Sequence, residues 1–220
     1  MKALSYSETK LWYKNKDEYV RRYVLGQENE PTFDQMIGKI VHAALEEPRY
    51  PWLKQMREMK CRPKLVANAG IILRKMAPRL LPEREVVLVG TTRYKIKLLT
   101  IFDGLHRKEK RLQDYKTYGA TDKGHEPWNQ YIVNDHFQFS FYAWNWSLIF
   151  HSFFSDIEID TINLGKGRVK VFHTARSMRD IEAVEHWAME AIREMKHEKV
   201  WDKRLTRQQR MRLKQSKLGL

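Results

Sequence analysis

The chain has 220 residues, with 41 Lys and Arg against 27 Asp and Glu, a formal charge of +14, and 42% hydrophobic residues. That apolar content supports one substantial core and argues against a disordered or fibrous chain, while the charge favours a polyanionic partner, nucleic acid first and an anionic membrane surface or ribosomal RNA after it. No apolar run reaches the length of a membrane helix, the first residues lack a signal peptide's apolar core, and a lone cysteine, Cys61, excludes an internal disulfide, so a cytoplasmic protein without membrane contact is expected.

Apolar and aromatic residues recur at helical spacing over 7–25 and 33–47, after which Pro48 and Pro51 interrupt the pattern. A further helix over 64–77 ends near Pro78 and Pro82. Residues 85–89, 94–103 and 111–117 then read as a three-stranded meander, with the polar run 106–110 as the second turn. Gly119 to Gly124 signals a loop, and a very aromatic helix follows over 131–150. The alternating segments 157–164 and 168–173, joined through Gly165-Lys166-Gly167, form a hairpin that extends the same sheet. Ser177 caps a helix running to about residue 200, and residues 203–220 carry seven Lys and Arg with no acid after Lys203. That tail suits either a phosphate clamp or a solvated segment.

The meander holds the chemistry. Its strands deliver Asp103, Asp114 and Lys116 to one place, and strand alternation puts Asp114 and Lys116 on one face with Tyr115 on the other. Two adjacent carboxylates repel unless a divalent cation lies between them, and hard oxygen donors suit Mg2+ or Mn2+. Lys116 would neutralise phosphate charge or orient an attacking water, so the reaction class is metal-assisted phosphodiester hydrolysis. In isolation an Asp-x-Lys also suits a solvated hairpin, and His42, among Ile40, Val41, Ala43, Ala44 and Leu45, also suits a buried structural imidazole. His106, His125 and His136 read as surface or structural residues. Trp144 and Trp146 suit the core, with stacking on unpaired bases as their other role.

Taken together, His42, Asp103, Asp114-Tyr115-Lys116 and Gln138-x-x-x-Tyr142 occur in the order of the RecB-like branch of the PD-(D/E)XK nuclease superfamily, which the chain resembles; Leu4-Ser5-Tyr6-Ser7 and the basic, aromatic residues 19–23 resemble its amino-terminal segment. The resemblance implies an α/β (α+β) fold with a restriction-endonuclease-like core, a central mixed β-sheet flanked by helices, over residues 1–202, followed by the basic tail 203–220. It implies that His42, Asp103, Asp114 and the backbone carbonyl of Tyr115 bind the metal, that Asp103, Asp114 and Lys116 are catalytic, and that Gln138 and Tyr142 contact DNA or brace the site. A further family glutamate would be Glu83 or Glu85, with Glu85 preferred. The implied activity is an exonuclease acting on single-stranded or duplex DNA ends in repair, recombination or phage replication. The sequence holds no helicase-like phosphate loop, so any unwinding would fall to a separate helicase or replication and recombination partner. The chain departs from the pattern at Thr100, where glycine is usual, and its single cysteine cannot ligate the iron-sulfur cluster of some relatives. A non-catalytic nucleic-acid-binding module of the same fold and an RNA-directed nuclease are the alternative readings.

Overall fold

A computed structural model describes residues 3–121, 127–198 and 200; the basic tail, His125 and the end of the expected loop lie outside the described residues. Among these, eight α-helices surround a five-stranded sheet of order β1-β2-β3-β4-β5, built from Glu83–Thr91, Lys97–His106, Arg111–Tyr118, Asp156–Asn163 and Arg168–Thr174. β3 and β4 run parallel and the other neighbours antiparallel, which gives the expected mixed sheet, with the second hairpin joined to the first.

The amino-terminal helical region is broken where one helix was expected. α1 (Tyr6–Lys14) begins with a reciprocal Ser5–Glu8 capping box, and the Asn15 side chain caps a new start at α2 (Lys16–Tyr19), followed by a π-helical turn over Val20–Val24. Asn15 competes locally for backbone donors, so helical periodicity persists across a chain that changes direction. α3 (Phe33–Glu46) starts at a Thr32–Gln35 box. The short α4 (Trp52–Glu58) was hidden behind Pro51, which occupies its cap position, and α5 (Pro63–Met76) follows. The aromatic region divides at His136 into α6 (Gln130–Asp135) and α7 (Phe137–Phe150), and α8 (Met178–His197) starts at Ser177.

Helices cover both faces of the sheet. On one face α1, α7 and α8 meet β2–β4 through Trp12, Phe102, Phe141, Trp144, Ile159 and Ile192. On the other, α3, α4 and α5 bury Ile37, Val41, Met56, Ile72 and Ile162 around Tyr115. α7 is apolar around its whole circumference because it lies inside; Trp144 and Trp146 are each 2% exposed and belong to the core rather than to any base-stacking surface. β4 is buried along almost its entire length, as a parallel-paired strand covered on both faces should be. β1 is an edge strand, and Val87 and Val89 on it remain about half exposed.

Two local features set the helix and strands around the chemistry. A Cβ added to Gly38 would lie 2.5 Å from the Thr117 hydroxyl, so glycine lets α3 approach β3 closely. The β1–β2 ribbon also changes side at Glu85 and Asp103. Val86 and Phe102 pack with the α7 cluster, yet Arg84 donates to the carbonyls of Leu45 and Glu46 on α3, and the Cβ direction of Gly104 points at Gln113. Glu85 takes the turn at φ 49°, left-handed backbone that a side chain tolerates only when its surroundings hold it.

Candidate metal centre and active site

β2 pairs with β3 only at Gly104–Gln113, Leu105–Leu112 and His106–Arg111. Asp103 and Asp114 occupy the next level, where pairing stops. Instead of a backbone rung, Asp103 Oδ2 accepts the Tyr115 N–H at 2.5 Å, so the aspartate is locked to β3 while its other oxygen lies 3.5 Å from His42 Nδ1. His42 descends from α3, four residues and one turn beyond Gly38, and its ring meets Tyr115 edge-on with centroids 5.6 Å apart.

On β3 alternation works as expected. Asp114 Oδ2 lies 2.6 Å from Lys116 Nζ, whereas Tyr115 enters the opposite core. Asp114 Oδ1 accepts from the Tyr142 hydroxyl at 3.1 Å, and Gln138 Nε2 donates to that hydroxyl at 2.6 Å, so α7 braces the carboxylate through two side chains one turn apart. Glu85 is exposed and close enough to Glu46 for its charge to be felt there, while Glu83 is paired with Arg107 at 2.6 Å.

Glu46 is the residue that sequence reasoning did not single out. It lies one turn after His42, and ligand atoms of His42, Glu46 and Asp103 all fall within 4.8 Å of one another. The signal was present as His-x-x-x-Glu, a spacing that puts both side chains on one helix face. It has no fixed counterpart in the motif order that revealed the others.

The electrostatics of the site show crowded acids. Burial raises the Glu46 carboxyl above its ordinary range, and the charges of Glu85 and Asp103 add to that while His42 opposes it. Burial likewise raises Asp114, with Asp103 adding and Lys116 opposing. Asp103 moves the other way: burial would raise it, but the hydrogen bond and charge of His42, then Lys116 and the Tyr115 amide, hold it below its usual value. Burial would depress His42, yet its bond to Asp103 and the nearby negative charge raise it instead. One imidazole and several hard carboxylate oxygens gathered around a common point, mutually repelling, form a donor set that suits a divalent cation of the magnesium or manganese type.

Beneath Tyr115 lies a second polar layer. The Tyr115 phenol donates to Gln113 Oε1 at 3.0 Å, and Gln113 Nε2 donates to Glu158 and Asp160 at 2.9 and 2.7 Å. Arg79 approaches both acids, at 2.8 and 3.1 Å, while burial and the Glu158 charge push Asp160 up to about 7. This layer fixes the far side of β3, the strand that carries Asp114 and Lys116. A hollow of about 760 Å³ opens beside His42 and Glu46, bordered by Arg22, Lys39 and Thr117.

No curated protein matches the chain by sequence. Among solved structures, a crystal structure of a candidate exonuclease from Eubacterium rectale is similar, with a TM-score of 0.65 at 13% identity over 91% of this chain and 81% of that one. A likeness at this identity bears on fold alone. The sequence match to a family model is broader, spanning residues 3–208, and with it the chain belongs to the PD-(D/E)XK nuclease superfamily.

Proposed function

We propose that the protein is a divalent-metal-dependent deoxyribonuclease of the RecB-like kind, an exonuclease that hydrolyses phosphodiester bonds at DNA ends in repair, recombination or phage replication. The observation that carries the reading is the meeting of His42, Glu46 and Asp103 from α3 and β2, with the Asp114–Lys116 pair of β3 alongside. A binding module has no use for buried acids in a surface meant to attract phosphates.

His42, Asp103, Asp114 and Glu46 would hold the ion, with the Tyr115 carbonyl as a further oxygen donor. A bound divalent cation supplies Lewis-acid stabilisation of phosphate charge and acidifies water. Lys116 has two tasks: it balances Asp114, and it offers N–H donors to the nucleophile or to a non-bridging phosphate oxygen. Tyr142 and Gln138 keep Asp114 in one orientation, and the Tyr115 amide does the same for Asp103. Because His42 carries a raised pKa, its proton must leave before the ring can act as a ligand, so metal affinity should climb with pH through that titration.

No described helix is long and apolar enough to cross a membrane. The cytoplasm is the compartment we propose, with DNA as the partner and unwinding left to other proteins.

The test is cleavage of end-labelled linear DNA, closed circular DNA and RNA of matched sequence with Mg2+ or Mn2+. Loss of linear DNA alone supports the exonuclease. Cutting of circles would make it an endonuclease, preferential cutting of RNA would redirect the substrate, and no cutting under either metal would leave a binding module.

A further inference from the structure

A second hollow, of about 400 Å³, is bordered by Lys116, and Arg22 borders both it and the His42 cavity. Its charge is one-sided. Lys10, Lys14, Arg22 and Lys116 line it with no acid, whereas the His42 side mixes Glu28, Glu30 and Glu46 with Arg22 and Lys39. A phosphate chain is therefore drawn most strongly along the acid-free groove that leads to Lys116.

The same hollow is aromatic. Tyr6 and Trp128 line it half-buried, each beside the His136 ring, at centroid separations of 5.7 and 5.3 Å. Tyr6 is held further by Trp187 at 5.9 Å and Phe141 at 6.4 Å, so its ring is ordered before any ligand arrives. His136 is pushed down to about 4 by burial and by Lys116, Lys10 and Arg176, and it stays a neutral ring at ordinary pH. Cations beside ordered aromatic faces are what an unpaired strand requires, since a paired base has its faces covered by neighbours in the stack.

We propose that this groove receives an unpaired polynucleotide strand, with a base against Trp128 and Tyr6 and successive phosphates on Lys14, Lys10 and Arg22, so that the strand reaches Lys116 from the α1 side. This rests on the nuclease reading above and specifies its substrate as a single strand. Lys116 belongs to both the groove and the Asp114 pair, and it connects the bound strand to the reacting phosphate.

The full chain in EDTA, which prevents cleavage, is titrated by fluorescence anisotropy with labelled oligodeoxyuridylate, oligouridylate and a blunt duplex of equal length. Either single strand should bind more tightly than the duplex, and the preferred one identifies the sugar. Trp128→Leu should weaken single-strand binding about 5- to 100-fold while Trp128→Phe, which keeps a ring face, stays within about threefold of the parent. Combining Lys10→Gln with Lys14→Gln should flatten the slope of log K against log salt by about 1.4, the effect of two lost phosphate contacts on a single strand. A duplex bound as tightly as the single strands, a Trp128→Leu variant within about twofold of the parent, or an unchanged salt slope would overturn the groove. Hydrolysis of bis(p-nitrophenyl) phosphate by the parent with Mn2+ reads the metal site separately: its absence would count against the nuclease, whereas anisotropy decides the groove.

Discussion

Replacing Tyr142 by phenylalanine removes a single oxygen from the interior and tests whether α7 holds the catalytic carboxylate in place. The ring would remain, edge-on to Phe102 with centroids 5.1 Å apart and near Phe139 at 6.3 Å, so little packing is lost. What disappears is a pair of hydrogen bonds, Gln138 Nε2 to the hydroxyl at 2.6 Å and the hydroxyl to Asp114 Oδ1 at 3.1 Å. Asp114 is 2% exposed, so water cannot readily replace the lost donor. A hydrogen bond to a charged group contributes about 1.5–3 kcal/mol, and for a chain of this size each kcal/mol moves the melting point by about 2–4 °C. The expected drop is therefore about 3–12 °C, read by calorimetry or circular dichroism. With Asp114 held only by Lys116, kcat for single-strand cleavage should fall about 10- to 100-fold while KM changes little, because the lost contact orients a reacting group and touches no substrate. A variant that melts within about 1 °C of the parent and cuts at its rate would refute the bracing role of Tyr142.

Two further perturbations probe the scaffold behind the site. Gly38→Ala would drive a methyl group to 2.5 Å from the Thr117 hydroxyl, and the cost of about 1–3 kcal/mol should appear in urea unfolding together with weaker metal binding, since α3 carries both His42 and Glu46. Asp160 sits at about 7 in the fold against about 3.9 when unfolded, so its contribution to stability is complete below about pH 4 and is lost as pH rises through 7. Asp160→Asn cannot ionise and can still donate to Glu158, so it should gain on the parent between about pH 5 and 8, by on the order of 1–3 kcal/mol at the upper end. Glu158, held below its usual value by Arg79 against the opposing effect of burial, contributes in the reverse sense and loses its share only in acid, so melting curves taken across pH would separate the two. A parent and variant with parallel pH profiles would remove the proposed link between Asp160 and stability.

The fold was readable wherever local pattern and tertiary environment agree. The meander, the second hairpin and α3 have strong periodicity and firm turn or cap signals, and their ends fall within a few residues of expectation. The break at Asn15 and the division of the aromatic helix at His136 were not visible, because apolar spacing runs through both and only backbone direction changes. α4 was hidden because prolines on either side of Tyr50 read as loop punctuation, though Pro51 in fact occupies a helix cap. In the site, strand spacing alone relates Asp114 to Lys116 and helix spacing alone relates Gln138 to Tyr142, whereas the meeting of the two pairs followed only from the family resemblance. Glu46 needed the fold. So did the change of side at Glu85 and Asp103, which strict alternation does not allow and which directs Asp103 toward α3. Trp144 and Trp146 fill the core, the role their sequence context favoured, whereas the aromatic side chains that border the site are Tyr6 and Trp128, far apart in sequence and brought together by α1 and the segment before α6.

The claim on which the account stands is that His42, Glu46, Asp103 and Asp114 together hold a divalent ion. Mn2+ binding followed by electron paramagnetic resonance tests it without any nucleic acid. The parent should bind Mn2+, and Asp103→Asn and Glu46→Gln should each weaken that binding about tenfold or more, with far-ultraviolet circular dichroism unchanged. Equal Mn2+ affinity in the parent and both variants would contradict it.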